Sequence, residues 1–385
     1  MKTLIRNIGQ IVSGDIAHPV VDADSLLARD GVIIGLGRRL EDDADLVVDA
    51  KGSTVMPGLV DSHVHPVFGD FTPRQRALDF IESAMQGGVT TAISAGEVHL
   101  PGRPRDVVGL KALAIVAAKA YANFRPGGVK VHAGAPILEL GLTEADFAEM
   151  ARAGVTLVGE IGLGSVKTGK DAAPMVEWAR RHGMTVTIHT GGPSIAGSSA
   201  ITAEVVLEAH PHVVGHINGG TTSMPTADID RLVATDMALE IVHCGNMRTA
   251  LHTLRRAQEA RATARLILGN DAPSGTGVVP LGILRTISLL AGVGGMPPAE
   301  AIACATGNTA RVYKLNTGVI TVVVCDAPVG SAGKDALGAL AAGDLPGISM
   351  VLIDGTITAG RSRNTPPAAR AAEVIKGAGP AGAGH

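Results

Sequence analysis

Two histidines that lie two residues apart carry the clearest chemical signal in the sequence. His63 and His65 end an apolar run that begins at Met56. Side chains two residues apart on a β-strand point to the same face, so both imidazoles can reach one metal ion. The alternative is a pair of histidines merely exposed at a strand end. The apolar strand directly before them favours metal binding.

Polar side chains also follow four later apolar runs, at Glu160, His189, His216 and Asp271. Each one alone is more often a structural or solvated residue than a ligand. Together with the histidine pair they supply nitrogen and oxygen ligands suited to two divalent ions, with one carboxylate left to bridge them. The conjunction of all six therefore predicts a binuclear metal site.

The wide spacing of these residues requires a fold that brings distant strand ends together. Eight β-branched runs alternate with helix-forming stretches, which is typical of repeated βα units. Eight such units predict an α/β fold, a (β/α)8 TIM-like barrel whose carboxyl-terminal strand ends meet in one pocket. The predicted barrel strands are 54–60, 89–95, 129–131, 155–158, 184–188, 212–214, 238–242 and 265–268.

Short strands without a long helix precede the barrel, and strands return after it. We therefore expect residues 1–53 and 315–375 to form one small β-sandwich domain beside a barrel domain at 54–314. Residues 376–385 are almost entirely Gly, Ala and Pro. Such a segment cannot bury enough apolar surface to order itself, so we expect a disordered tail.

The composition excludes several classes of function. The formal charge of −3, from 33 basic and 36 acidic residues, provides no basic surface for nucleic acid or an anionic membrane. Three widely spaced cysteines predict neither a disulfide framework nor a CxxC zinc site, which favours a reducing, cytoplasmic location. The first twelve residues lack the apolar stretch of a signal peptide, and no apolar run has membrane-spanning length. These features suit an α/β enzyme.

The pattern Asp61-Ser-His63-Val-His65, with the four later ligand candidates, resembles that of the amidohydrolase superfamily. The likeness covers the whole chain, because that superfamily also pairs its barrel with a β-sandwich made from both termini. Within it, residues 93–96, 101–105, 159–164, 216–220, 244–246 and 269–277 resemble the enamidases. The resemblance implies that His63 and His65 bind one metal and that His189 and His216 bind the other. It also implies that Glu160 bridges the two metals and that Asp271 is both a metal ligand and the base.

The resemblance also implies the reaction, the cofactors and the assembly. The expected cofactors are two divalent metal ions, zinc and iron, and the expected assembly is a homotetramer. Hydroxide held between the ions would attack the ring carbonyl of 6-oxo-1,4,5,6-tetrahydronicotinate while Asp271 takes its proton and later delivers it to the departing nitrogen. Ring opening would leave an enamine, whose imine tautomer would take up a second water and lose ammonia to give 2-formylglutarate, a step of nicotinate degradation.

The sequence departs from the superfamily in two places. Many members bridge their metals with a carbamylated lysine, whereas Glu160 stands at that position here, so bicarbonate should not be required for metal binding. Lys130, on the third predicted strand, is the alternative bridge. The Gly-x-x-Ala-Asp turn usual in the sandwich is missing from residues 318–326, which suggests a shortened hairpin.

The carboxylate of the expected substrate requires hydrogen-bond donors in the loops at the same end of the barrel. For residues 274–277, which follow Asp271, the alternative interpretation is a flexible loop with no role in binding. The candidates are Ser274, Thr276, Asn218 and Arg103, with Arg105 and Lys167 as further cations.

Three other functions are compatible with the sequence. Another cyclic amidohydrolase, of imidase, dihydropyrimidinase or N-acyl amino acid hydrolase type, would keep both fold and metals. A non-catalytic amidohydrolase-like assembly protein would act through its surface, although all six candidate ligands are retained here. A mononuclear deaminase would have no need of the bridging Glu160.

Overall fold

The computed structural model describes residues 1–66, 74–97, 102–193, 198–220, 222–273 and 277–379. The β-strands in these ranges are β1 (Lys2–Arg6), β2 (Gln10–Val12), β3 (Val20–Val21), β4 (Ser25–Arg29), β5 (Val32–Gly37), β6 (Leu46–Asp49), β7 (Thr54–Pro57), β8 (Leu59–Val64), β9 (Val89–Ser94), β10 (Lys130–His132), β11 (Leu157–Ile161), β12 (Thr185–Ile188), β13 (Val213–Val214), β14 (Ala238–Val242), β15 (Leu266–Gly269), β16 (Val322–Asp326), β17 (Gly347–Ile353), β18 (Thr356–Ala359) and β19 (Glu373–Lys376).

The helices of the same ranges mostly follow the central strands. The α-helices are α1 (Arg74–Gln86), α2 (Val107–Asn123), α3 (Glu144–Arg152), α4 (Gly169–Arg181), α5 (Ala203–Ala209), α6 (Thr226–Val233), α7 (Met247–Glu259), α8 (Gly282–Ser288), α9 (Pro298–Cys304), α10 (Gly307–Val312) and α11 (Ala336–Ala341). Among the described residues, no helix combines the length and the apolar character needed to cross a membrane.

The eight parallel strands β8 to β15 form the predicted (β/α)8 barrel. They run in the orders β10-β9-β8 and β11-β12-β13-β14-β15. Backbone hydrogen bonds join the two arcs: Asp271 N donates to His63 O at 2.8 Å, and Gly159 N donates to Pro136 O at 3.0 Å. Because the strands are parallel, their carboxyl ends lie at one end of the barrel.

The barrel strands are buried on both faces, which explains their composition. Every residue of β9, β11, β12 and β14 is buried. Helices cover the outside; on α7 the buried residues Ala250, Leu254 and Ala257 lie on one face. Continuous β-branched runs followed by amphipathic helices are therefore the pattern that this architecture requires.

Strands from both ends of the chain form two further sheets, with the orders β19-β6-β1-β4-β5 and β18-β17-β16-β7-β2-β3. A common apolar cluster joins them; it includes Ile5 and Val48 of the first sheet and Val324 and Leu352 of the second. Sandwich packing of this kind is what the sequence predicts for the terminal segments. The domain boundaries at 53/54 and 314/315 stay predictions.

The first barrel strand begins later than predicted. Residues 54–57 form β7, which pairs with β16 and β2 of the six-stranded sheet. The chain changes sheets at Gly58, where an added Cβ would lie only 2.1 Å from Thr90 Oγ1. The apolar run of 54–60 is therefore two strands in two sheets, and only β8 belongs to the barrel.

Two other predicted elements differ from the structure. The sequence predicts one strand over residues 350–357, but β17 and β18 form a hairpin there. Lys376 was expected in the disordered tail, but it ends β19, and its Nζ lies 2.7 Å from Asp43 Oδ1. The remainder of that tail from residue 380 lies outside the described residues.

Phe147 on α3 provides a test of how the helical layer packs. Its side chain is 0 % exposed, and its ring contacts that of Trp178 on α4 at a centroid distance of 5.9 Å. Phe147→Ala should lower the free energy of unfolding by about 3–5 kcal/mol, because it leaves a cavity. Phe124→Ala is the control, since Phe124 is 48 % exposed. Equal urea midpoints for the two variants would contradict this packing.

Candidate metal centre

All six residues predicted as metal ligands lie at the carboxyl end of the barrel. His63 lies within β8, with His65 just after it, and Glu160 lies within β11 at a register shift between Val158 and Ile161. The other three follow the ends of β12, β13 and β15: His189, His216 and Asp271. Parallel strands of a closed barrel bring these ends together although they are far apart in sequence.

The side-chain atoms of the six residues are close enough to share ions. His216 Nε2 lies 2.7 Å from Glu160 Oε1, and His189 Nδ1 lies 3.5 Å from the same oxygen. On the other side, His63 Nε2 lies 3.6 Å from Glu160 Oε1, and His65 Nε2 lies 3.8 Å from Glu160 Oε2. Asp271 Oδ1 completes the cluster at 3.3 Å from His65 Nε2.

Three groups of potential ligand atoms can be drawn from this cluster, each with its atoms within 4.8 Å of one another. Glu160 is the carboxylate common to two of them, which is the position that a bridging ligand would occupy. The groups are His63, His65 and Glu160; Glu160, His189 and His216; and His63, His216 and Asp271.

Several ligand atoms in the cluster have no hydrogen-bond partner although they are buried. They include Nε2 of His63 and Nδ1 of His189. Buried polar atoms without partners are costly in an apolar interior. Divalent cations would satisfy these nitrogens and the neighbouring carboxylate oxygens, and an N/O donor set of this kind fits zinc or iron(II). The side chains therefore fit a metal pair.

The charges of the cluster support one another across the site. Burial disfavours the ionised form of Glu160, but the neighbouring His63 and His216 hold the pKa of its carboxyl well below the usual range. Burial would likewise lower the pKa of His63, yet the carboxylates of Glu240 and Glu160 raise it well above the usual value. Cations that bind to these imidazoles must therefore displace protons, so metal affinity should fall as the pH is lowered.

Backbone carbonyl groups orient two of the rings. His65 Nδ1 lies 2.8 Å from Gly96 O, and His189 Nε2 lies 2.8 Å from Gly192 O. A ring nitrogen that donates to a carbonyl leaves the opposite nitrogen unprotonated and free to bind a metal. In both rings that opposite nitrogen is the one nearer Glu160.

The sequence analysis assigned no role to two buried acids that support the ligands. Glu240 on β14 accepts hydrogen bonds from His63 Nδ1 at 2.6 Å and from Ser62 Oγ at 2.5 Å. Asp61 Oδ1 accepts from the backbone N–H groups of His63 and Asn270 at 3.1 and 2.9 Å, and burial raises its pKa to about 7. For Glu240, the available signal was its position as a charged residue in the middle of the apolar run 238–242.

The alternative bridge, Lys130, lies away from the cluster. It is the first residue of β10, and strand starts lie at the opposite end of the barrel from the ligands. Its Nζ lies 2.6 Å from Asp354 Oδ1. Lys130 therefore forms an ion pair away from the cluster, and the bridging role of Glu160 stays a prediction.

Comparison with known proteins agrees with this geometry. The sequence profile described as the amidohydrolase family matches residues 54–322. The chain belongs to the amidohydrolase family. Membership was predicted from the ligand pattern and is confirmed.

This amidohydrolase is similar to several characterised proteins. It is 55 % identical over 384 residues to enamidase of Eubacterium barkeri, covering 97 % of this chain and 100 % of the relative. It is 24 % identical to dihydroorotase of Streptococcus pneumoniae serotype 4, covering 82 % of this chain and 71 % of the relative. The crystal structure of enamidase superposes with a TM-score of 0.93 at 54 % identity, covering 97 % and 100 % of the two chains.

The residues predicted to bind substrate are not all visible in this amidohydrolase. Ser274 and Thr276 lie outside the described residues. Asn218 uses both ends of its amide on the backbone of Val242, each at 2.9 Å. Arg103 Nη2 donates to Glu139 Oε1 at 3.0 Å, and the buried Nη1 has no partner. Neither of these contacts involves the six predicted ligands, so the substrate roles stay predictions.

Replacement of one histidine tests the two-ion arrangement in this amidohydrolase. His189 belongs to only one of the three ligand groups, so His189→Ala should lower the metal content from about two ions per chain to about one. Elemental analysis after gel filtration measures the loss. His252→Ala is the matched control, because His252 pairs with Asp230 at 2.8 Å on α7 and α6 instead of facing the cluster. An unchanged metal content in His189→Ala would contradict the arrangement.

Proposed function

We propose that this chain hydrolyses the C–N bond of a cyclic amide that carries a carboxylate, with 6-oxo-1,4,5,6-tetrahydronicotinate as substrate and 2-formylglutarate and ammonia as final products. The observation that carries the proposal is the 55 % identity to enamidase over nearly the whole of both chains. The convergence of four imidazoles and two carboxylates at the barrel mouth supports it, since amide hydrolysis by this family requires bound metal.

Two divalent ions, for which we propose zinc and iron, would be held by the histidine pairs, with Glu160 between them. When bound, such ions polarise a carbonyl group and acidify water. The protein's own contribution is the fixed position of the ligands. The four histidines and Glu160 are each at most 3 % exposed in their side chains, so bulk water does not compete for them.

Asp271 is the residue that we propose to move the proton. Its side chain is 10 % exposed, more than that of any other member of the cluster. The hydrogen bond from His65 and the nearby His63 lower the pKa of its carboxyl despite burial, so the group is ionised at neutral pH. An ionised carboxylate at the open edge of the site can accept a proton from the attacking water and return it to the departing ring nitrogen.

The remaining parts of the proposal concern the setting of the enzyme. We propose a cytoplasmic homotetramer that acts on a small molecule and binds neither nucleic acid nor membrane. The formal charge of −3 supports the absence of an extended basic surface. The tetramer rests on the resemblance to enamidases alone.

Substrate choice tests the proposed reaction. The metal-loaded protein should release ammonia from 6-oxo-1,4,5,6-tetrahydronicotinate and turn over hydantoin and dihydroorotate at least about a hundredfold more slowly in kcat/KM, because hydantoin lacks the carboxylate and dihydroorotate carries it at a different ring position relative to the scissile C–N bond. Ammonia release and ring absorbance measure both. A preference for dihydroorotate or hydantoin would favour another cyclic amidohydrolase.

Replacement of Asp271 tests the proton transfer. Asp271→Asn should lower kcat by about 10²–10⁴-fold, because an amide cannot accept the proton, while most of the substrate affinity is retained. Glu97→Gln serves as a control for losing another buried carboxyl at the same end of the barrel; Glu97 accepts from Gly134 N at 2.8 Å, and burial raises its pKa to about 7. A kcat for Asp271→Asn within threefold (roughly) of the original protein would remove Asp271 from the mechanism.

A further inference from the structure

We infer that Glu240 is a positioning residue that fixes two ligand histidines at once, the ring of His63 and the backbone of His216, and so sets the distance between the two candidate metal positions. This inference rests on the proposed function only for its effect on catalysis. Its effect on metal binding is independent of the substrate.

One carboxylate oxygen makes the two contacts that matter. Glu240 Oε2 accepts a hydrogen bond from His63 Nδ1 at 2.6 Å and a second from His216 N at 3.1 Å. The other oxygen, Oε1, accepts from Ser62 Oγ at 2.5 Å. The side chain is 0 % exposed. β14 supplies none of the six ligands. Through Glu240 it is joined to β8 and to His216, which lies two residues after β13.

The contact with His63 determines which ring nitrogen faces the metals. Because Nδ1 donates to Glu240, Nε2 is left to face Glu160 at 3.6 Å and Asp271 at 3.7 Å. A carboxylate on the far nitrogen of a ligand histidine fixes both the tautomer and the ring plane, and it increases the basicity of the metal-binding nitrogen. His63 belongs to two of the three ligand groups, so its orientation affects both metal positions.

The contact with His216 holds a strained backbone. His216 has a φ of +28°, a region that side chains with a Cβ rarely adopt. Its N–H is bound by Glu240, and its carbonyl accepts from Thr190 Oγ1 at 3.1 Å. These two hydrogen bonds hold the ring where Nε2 lies 2.7 Å from Glu160. Weakening the contact with the N–H would let the backbone relax and draw the imidazole away from Glu160.

Packing alone does not explain a charged residue at this place. The neighbours of Glu240 on β14, Leu239 and Ile241, are 0 % exposed and apolar. A buried carboxylate costs free energy unless cationic or donating groups surround it. Here the donors to Glu240 are His63 Nδ1, His216 N and Ser62 Oγ, and its charge adds to the negative charge of Glu160 and Asp271 that would partly balance a pair of dications.

The substitution Glu240→Gln separates charge from shape. A glutamine can accept both N–H groups through Oε1 and donate to Ser62 through Nε2, so it keeps the size and the hydrogen bonds while it removes the charge. We expect the affinity for zinc, measured by competition with a chelator, to fall about 10–100-fold. We also expect kcat at saturating metal to fall while KM changes less than about twofold. Cobalt absorption bands should shift, because the field at His63 changes.

The control is Glu139→Gln, which removes another buried carboxylate whose partner is Arg103 at 3.0 Å. It should leave zinc affinity and the cobalt spectrum unchanged. If Glu240→Gln does not fold, Ser62→Ala replaces it, because that change removes the second anchor of the same carboxylate; a several-fold lower zinc affinity is then expected.

Two outcomes separate this inference from the proposed function. Zinc affinity and cobalt spectrum identical to those of the original protein, in Glu240→Gln or in its replacement, would overturn the role of Glu240. A protein that binds two zinc ions with Glu240-dependent affinity but does not hydrolyse the proposed substrate would contradict the proposed function, and the positioning role would still hold.

Discussion

The arrangement of the barrel mouth depends on one buried carboxylate, that of Glu160. Its side chain is 3 % exposed and lies between imidazoles on both sides, with His216 at 2.7 Å and His63 at 3.6 Å. Burying that charge is unfavourable unless cations stand around it. Protons on the imidazoles can supply positive charge, and divalent ions can supply more of it while they also satisfy nitrogens that have no partner. The electrostatics of the site therefore favour metal binding without any substrate.

A parallel barrel is the architecture that can hold such a cluster in place. Its strands are buried on both faces, so the backbone of a ligand residue at a strand end is held in place by the packed core next to it. Glu160 illustrates this, because it lies within β11, and its own N–H donates to Ala95 O at 2.8 Å. Asp271 is fixed in the same way, since its N–H donates to His63 O at 2.8 Å. The hydrogen bonds that close the barrel thus also fix the distance between ligands.

Sequence reasoning succeeded where local pattern and chemistry coincide. The strand 238–242 was predicted with the bounds that the structure shows, and the HxH pair at the end of β8 indicated the site directly. It failed where the decision is made by tertiary contact. The Pro57-Gly58 pair is a local turn signal that divides the apolar run, but the placement of β7 and β8 in different sheets depends on their pairing with β16 and β9. The sequence likewise could not show that both ends of the Asn218 amide bind the backbone of Val242 on β14, and the substrate role of Asn218 stays a prediction.

Exposure divides the buried acids of this site into two kinds. Glu160 and Glu240 are sealed from water, so their charge acts on the ligands permanently and cannot be exchanged with a substrate. Asp271 is the more open member of the cluster, and its φ of +59° places its backbone in a region that aspartate tolerates better than most residues. A group that transfers protons must meet both the metals and the substrate. Among the clustered carboxylates, Asp271 just after β15 is the most exposed, and this exposure supports the proton-transfer role proposed for it.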